Sequence, residues 1–219
     1  MGPLVGQLME PLTIANWRSV PLTVTLIGLS CLGFLLVYLL PGATGFLTFT
    51  AFEVRGDKVH FMASGGQYWR LITPIFLHFG WLHIAFNCLW MWELGGKLER
   101  RMGAPMLGLL VLVIGMGSNI CQFLWSGPIP FGGMSGVIYG LLGYFILGQR
   151  LFKNFDLALP PAVVWFMLGW LVFGIVAPTQ VLGFGSVANG AHLGGLIFGM
   201  IAALVSRIAG GNTPGRSRG

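Results

Sequence analysis

A small set of polar residues stands inside long apolar stretches of this 219-residue chain. Polar side chains are costly in an apolar medium, so their presence there indicates a function. The residues that we single out are His78, His83, Asn87, Ser135, Asn189 and His192. A serine and a histidine are the parts of an activated nucleophile and its general base. The set therefore predicts acyl transfer, with Ser135 as nucleophile and His192 as general base and acid.

Other hydrolytic chemistries lack the groups that they need. A two-aspartate site needs buried carboxylates, but no Asp or Glu falls within the last four apolar stretches. A zinc site of the H-E-x-x-H kind needs two histidines one turn apart with a glutamate between them. His78 and His83 are five residues apart, in HFGWLH, with no glutamate between them. Each lysine lies in or beside a loop, which argues against a Ser–Lys dyad, and a Ser–His–Asp triad has no acid. A Ser–His dyad remains.

Glycines give the segments that follow Ser135 and His192 small faces, on which two helices can pack closely. Gly136 and Gly140 follow Ser135, and Gly195 and Gly199 follow His192, at helical spacing. Small faces allow two helix backbones to approach closely in a membrane. Each residue also has a plainer interpretation, as a packing serine or a structural histidine. The combination of both residues with both glycine faces favours the dyad.

Further residues fit a site for the developing oxyanion. His83 and Asn87 are four residues apart, share one helix face and can both donate hydrogen bonds. Free backbone N–H groups at the start of the Ser135 helix are additional donors. Tyr139, four residues after Ser135, is placed to stack on the His192 ring. A structural polar pair and ordinary aromatic packing remain the alternatives for these residues.

Composition indicates the environment of these segments. Hydrophobic residues make up 55% and charged residues 8% of the chain, and the mean hydropathy is +0.82. So few charges exclude a soluble enzyme, a disordered chain and a disulfide-stapled secreted module. We predict an all-α, polytopic membrane protein with an interfacial first loop. Its six predicted spans are 22–40, 78–96, 104–125, 135–149, 160–177 and 188–208.

Basic residues predict the orientation. Nine of the twelve lie on the side that holds both termini, and their scatter at span ends argues against nucleic-acid binding. We therefore expect a multi-pass protein of the cell inner (plasma) membrane with both termini cytoplasmic. Residues 1–21 are predicted to form a short cytoplasmic segment, 22–208 a six-helix transmembrane domain, and 209–219 a disordered cytoplasmic tail.

The fourth predicted span is short for a bilayer. Its 15 residues cover roughly 22 Å of helix, less than the ~30 Å hydrocarbon core. Anchored by Arg150 at the cytoplasmic face, the span would begin below the outer surface, with Ser135 at membrane depth. The preceding WSGPIPFGG would then dip inward around a polar cavity that admits water.

Motifs along the chain resemble those of the rhomboid intramembrane serine proteases of the bacterial six-helix type. The matching segments are Tyr68-Trp69-Arg70, HFGWLHIAFN (78–87), GGKLERRMG (95–103), GGMSG (132–136) and AHLGGLIFGMIAA (191–203). The resemblance implies a serine endopeptidase with Ser135 as nucleophile and His192 as base. It implies an acyl-enzyme intermediate and cleavage in or near the transmembrane helices of other proteins.

The same resemblance assigns supporting roles. It places His83, Asn87 and the backbone at Gly133 in the oxyanion site, and Tyr139 on the catalytic histidine. His78 corresponds to a supporting histidine at the start of the second span. Trp69, Arg70, Glu99 and Arg101 correspond to structural residues, and the fifth span with the loop after it to a mobile gate. The implied partners are transmembrane substrates and the lipid bilayer, without nucleic acid, metal or cofactor.

Two other functions remain as alternatives. A catalytically silent protein of the same fold would bind client helices, but it would not need Ser135, His192, His83 and Asn87 together. A small transporter or channel would need a polar path through several spans. The near-absence of intramembrane carboxylates and of an internal repeat argues against that function.

Overall fold

The computed structural model describes residues 14–56, 58–62, 65–152, 155, 157, 159–176 and 187–209. Three predicted features lie wholly or partly outside these residues. They are most of the N-terminal segment, nearly all of the C-terminal tail, and the loop that follows the fifth predicted span.

The described residues contain eight α-helices. They are α1 (Pro21–Leu39), α2 (Pro41–Leu47), α3 (Trp81–Trp90), α4 (Gly96–Met102), α5 (Ala104–Ser126), α6 (Ser135–Leu151), α7 (Pro161–Val176) and α8 (Asn189–Ile208). A π-helical turn, Met91–Gly95, joins α3 to α4. Short 3₁₀ helices span Ile14–Ser19, Tyr68–Leu71 and Thr73–Phe76. The first residue of α1, α2 and α7 is a proline. Proline lacks a backbone N–H, but the N–H groups of the first helical turn make no hydrogen bond within the helix, so the loss costs little there.

Three of these helices, α1, α5 and α8, are long and apolar enough to cross a membrane, and α7 is a shorter apolar helix. The other predicted spans have different forms. The second is divided into α3, the π turn and α4, and the fourth, α6, has 17 residues. The described helices fit a helical membrane bundle, and the count of six spans remains a prediction.

The core of the bundle is the contact between α6 and α8, with α5 packed against α8. Glycines bring the two backbones together. A Cβ atom on Gly195 would collide with the carbonyl oxygen of Gly136, and one on Gly199 with that of Gly140. Both of the helix ends that carry the predicted dyad are thereby fixed relative to each other.

The first loop departs from the expected all-helical fold. It contains an antiparallel hairpin of β1 (Ala51–Arg55) and β2 (Lys58–Met62), in which Phe52 pairs with Phe61 and Glu53 with His60. Gly56, at φ 66°, lies in the turn. Apolar and charged residues alternate along both strands, and this pattern favours a hairpin. Apolar runs of helical length indicated only the helices.

Three predicted structural residues anchor this loop and the first helix. Trp69 Nε1 donates to the Phe46 carbonyl at 3.0 Å, and Arg70 Nη1 donates to the Gly45 carbonyl at 2.7 Å. The carboxylate of Glu99, 4% exposed, accepts the N–H groups of Leu22 and Thr23 at 2.8 and 2.7 Å. These are free donors in the first turn of α1, so Glu99 caps that helix. Arg101 lies in the last turn of α4.

Candidate active site

Ser135 and His192 meet at the starts of their helices. Ser135 is the first residue of α6, and His192 lies in the first turn of α8. The distance between His192 Nε2 and Ser135 Oγ is 2.8 Å, a hydrogen bond. For Nε2 to accept the serine proton, the proton of the neutral ring must sit on Nδ1. Nδ1 is buried and has no hydrogen-bond partner among the described residues.

Tyr139 takes the place beside the imidazole. Its ring lies 4.6 Å from the His192 ring, centroid to centroid, at an interplanar angle of 32°. Its hydroxyl donates to the Met167 carbonyl of α7 at 2.9 Å. The tyrosine therefore contacts the candidate base with its face and α7 with its hydroxyl.

His83 and Asn87 lie on one face of α3 and line the same cavity as the dyad. Asn87 Nδ2 donates one hydrogen bond, to the His83 carbonyl at 2.7 Å. An amide nitrogen carries two protons, so the second is free for another acceptor. His83 and Asn87 thus place polar groups in the wall of the cavity that Ser135 also lines.

Gly133 serves the site differently from the predicted role of oxyanion donor. Its N–H donates to the Pro74 carbonyl at 3.0 Å and is therefore occupied. Its φ is 117°, and a Cβ atom would lie 2.5 Å from Nε2 of His83. Gly133 thus leaves space for the His83 ring, and among the backbone donors predicted for this region Ser135 N–H lies at the start of α6.

His78 is fully buried next to the segment that leads into Ser135. Its Nδ1 lies 3.0 Å from the Phe76 carbonyl, so the proton sits on Nδ1. Nε2 accepts the N–H of Met134, at 3.4 Å, from the residue before Ser135. His78 therefore helps to hold the approach to the serine and does not line the cavity.

A cavity of about 620 Å³ contains Ser135 and His192 in its wall. Phe166, Met167 and Trp170 of α7 form part of the same wall. The size is within the range of ligand sites. Among the residues that the structure describes, no group of three His, Cys, Asp or Glu side chains is placed to hold a metal ion.

Gln122 of α5 belongs to this site, and the sequence reasoning missed it. Its Oε1 accepts the N–H of Ala191 at 3.0 Å, directly before His192, and its Nε2 donates to Ser126 at 3.1 Å. Nearby Asn119 donates to the Leu71 carbonyl at 2.9 Å. Both are polar residues within an apolar run, the signal that identified the other site residues.

Comparison with known proteins identifies the family. Residues 65–208 match the family model described as the Rhomboid domain. The chain belongs to the rhomboid family. The resemblance carried by its sequence motifs is thereby confirmed. The matched segment of this rhomboid chain includes the dyad, the π turn and every helix from α3 to α8.

Named relatives of this rhomboid chain agree with that match. It is 44% identical over 137 residues to Rhomboid protease GlpG of Serratia proteamaculans, covering 63% of the chain and 48% of the relative. It is 36% identical over 183 residues to Rhomboid protease GlpG of Yersinia pseudotuberculosis (strain IP32953), covering 84% of the chain and 62% of the relative. The rhomboid chain thus spans about half to three fifths of the length of these relatives.

Proposed function

We propose that this rhomboid chain is an intramembrane serine endopeptidase that hydrolyses peptide bonds in or near the transmembrane helices of membrane proteins. The observation that supports the proposal most is the 2.8 Å contact between Ser135 Oγ and His192 Nε2 in a cavity wall. The relatives at 36–44% identity carry the name of rhomboid proteases.

The proposed reaction begins with proton transfer from Ser135 to His192 Nε2. Oγ attacks the substrate carbonyl carbon, and the resulting oxyanion accepts hydrogen bonds from Ser135 N–H, His83 and Asn87 Nδ2. The C–N bond then breaks, and the imidazolium gives its proton to the leaving amine. An acyl-enzyme remains on Ser135. Water, deprotonated by His192, attacks this ester and releases the second product.

Slow turnover is part of the proposal. In a triad an acid orients the histidine and stabilises the imidazolium. His192 Nδ1 has no such partner among the described residues, and the face of Tyr139 is its nearest support. Orientation by stacking lacks the charge compensation that a carboxylate gives, so the barrier for proton transfer stays higher.

The proposed setting is a bacterial-type inner membrane, with the helical domain at 22–208 and both termini cytoplasmic. The apolar helices support a membrane setting, and the positions of the basic residues support the orientation. We assign substrate entry to the side of α7. Of its residues only Met167, Leu171 and Gly174 are buried, so α7 is a thin wall between lipid and cavity.

The test is chemical labelling followed by cleavage. In proteoliposomes, a fluorophosphonate should label the parent at Ser135. It should label neither the Ser135→Ala variant nor the His192→Ala variant. The parent should also cleave a single-span substrate, and both variants should lose that cleavage. Ser206→Ala is the matched control. The hydroxyl of Ser206, on α8, donates to the Ala202 carbonyl and does not line the cavity.

Two results would oppose the proposal. Undiminished cleavage by Ser135→Ala would remove the serine from the mechanism. A parent that binds a single-span helix with neither labelling nor cleavage would favour the silent, client-binding alternative.

A further inference from the structure

A second cavity, of about 400 Å³, lies between the first loop and the end of α5. None of its lining residues lines the cavity that contains the dyad. Phe49, Leu71 and Phe123 supply apolar walls, and Gln67 and Arg70 supply polar groups. The Phe49 and Phe123 rings are 5.2 Å apart and join the loop to α5. This separate cavity combines an apolar surface with one cation.

Arg70 is the unusual part of this second cavity. Its side chain is 5% exposed. Nη1 donates to the Gly45 and Thr48 carbonyls at 2.7 and 2.8 Å, and Nε donates to Gln67 Oε1 at 2.6 Å. Nη2 makes no hydrogen bond, and no carboxylate pairs with the guanidinium, among the described residues.

A buried cation without a counterion is costly. Burial lowers the pKa of Arg70 from its ordinary value. The faces of Phe46 and Trp69, 5.8 and 6.0 Å from the guanidinium carbon, compensate part of the charge. An anion that accepts a hydrogen bond from Nη2 would compensate the remainder.

The position of the cavity along α5 indicates the source of that anion. Phe123 lies in the last turn of this 23-residue helix, about 29 Å along the axis from its first residue. The hydrocarbon core is ~30 Å thick. Phe123 is therefore level with a membrane boundary, where phosphate groups and the first carbons of acyl chains meet.

We propose that this second cavity binds a phospholipid. The phosphate diester accepts a hydrogen bond from Nη2 of Arg70, and an acyl chain packs against Phe49, Leu71 and Phe123. The location relative to lipid rests on the proposed membrane embedding. It does not depend on the chemistry of Ser135, so failure of the peptidase activity leaves this proposal standing.

Native mass spectrometry of the full chain tests the proposal. The purified protein is titrated with dioleoylphosphatidylglycerol, with dioleoylglycerol, which lacks the phosphate, and with inorganic phosphate. We expect one tight phosphatidylglycerol site, with dioleoylglycerol at least about tenfold weaker, because a charge-assisted hydrogen bond is lost. Inorganic phosphate should neither bind tightly nor displace the lipid.

Two variants remove the two parts of the site. Arg70→Gln removes the cation, with Arg55→Gln, an exposed arginine of the same loop, as its matched control. Thr50→Trp fills the cavity without removing any of the hydrogen bonds that Arg70 makes. Thr25→Trp, on exposed α1 surface, is its control. Both site variants should bind phosphatidylglycerol at least about tenfold more weakly than the parent. Both controls should bind it with the affinity of the parent.

The thermal midpoint gives an independent measurement. Phosphatidylglycerol should raise it in the parent and in Ser135→Ala, but not in Thr50→Trp. Equal affinity of parent and Thr50→Trp would overturn the proposal. Equal binding of dioleoylglycerol would do so too, because the cavity would then hold a chain without using Arg70. Displacement of the lipid by inorganic phosphate would point to a free-anion site instead.

Discussion

Among the described residues, the imidazole of His192 is positioned by packing and has no charged partner. Its Nε2 reaches Ser135, and the Tyr139 ring covers one face. The tyrosine hydroxyl reaches Met167 on α7. The ring of Tyr139 therefore contacts His192 and its hydroxyl contacts α7, so substitutions can test the two contacts separately.

Tyr139→Phe keeps the ring and loses the hydrogen bond to Met167. We expect a loss of about 1 kcal/mol in the free energy of unfolding, with kcat within a few-fold of the parent. Tyr139→Leu keeps apolar volume and loses the ring. We expect its kcat to fall roughly tenfold or more, because the base is misoriented. Cleavage kinetics and thermal unfolding measure the two effects. Equal kcat values for both variants would show that stacking has no role.

Gly133→Ala tests the room that this glycine leaves for His83. The added methyl would lie 2.5 Å from Nε2 and 2.6 Å from Cε1 of that ring. We expect kcat/KM to fall roughly 10- to 100-fold, because the ring leaves the oxyanion site. Gly56→Ala is the control, since φ is 66° there and no atom lies within 4 Å of the new Cβ. Parent-like kinetics for Gly133→Ala would contradict the assignment.

At the scale of elements, two contacts of different strength surround the cavity. The α6–α8 contact is backbone on backbone, through Gly136 and Gly140 on one side and Gly195 and Gly199 on the other. The α7 helix has three buried residues, and its polar contacts include Tyr139 to Met167 and Asn189 Nδ2 to the Gly174 carbonyl at 2.6 Å. The dyad thus lies on the closely packed pair α6 and α8, and the weakly packed helix α7 forms the opposite wall of the cavity.

Gly199→Ala should therefore destabilise the whole domain. Its Cβ would collide with the Gly140 carbonyl oxygen, an atom of helix backbone that cannot turn aside. We expect a loss of about 1–3 kcal/mol in the free energy of unfolding, measured by reversible detergent unfolding. Gly169→Ala on α7, with no atom within 4 Å of its Cβ, should be neutral. Equal stability of the two variants would refute the close-contact interpretation.

At the scale of the molecule, the basic residues of α4 and of the last turn of α6 indicate the orientation in the membrane. Lys97, Arg100 and Arg101 lie on α4, and Arg150 is in the last turn of α6. Ser135 is at the other end of α6. From the positive-inside rule we expect the basic end to face the cytoplasm and the dyad to lie in the outer half of the membrane.

Protease protection checks this orientation. In inside-out vesicles, tags at both termini should be digested, and a tag inserted between Gly65 and Gly66 of the first loop should be protected. An even number of spans puts the termini on one side, which the basic residues make cytoplasmic. Digestion of only one terminal tag would show an odd number of spans. Right-side-out vesicles, in which the pattern should invert, are the control.

Much of the fold follows from local sequence. Long apolar runs predicted the limits of α1, α5, α6, α7 and α8 to within two residues. Segments without such runs were harder to predict. The strands of the β1–β2 hairpin are five residues each, too short to be found by a search for long apolar runs. The π turn at Met91–Gly95 interrupts one such run, and the run does not show where the helix changes its period.

The sequence by itself determined the chemical inventory: a serine and a histidine in apolar segments, small faces beside them, and no acid to complete a triad. Residue type and helical period are local properties, so they can be derived without coordinates. Tertiary structure alone decided that Nε2 of His192 lies 2.8 Å from Ser135 and that the Gly133 N–H is already occupied. It also placed the carboxylate of Glu99 on the first turn of α1. These contacts join residues far apart in the chain, and their distances depend on how whole helices pack.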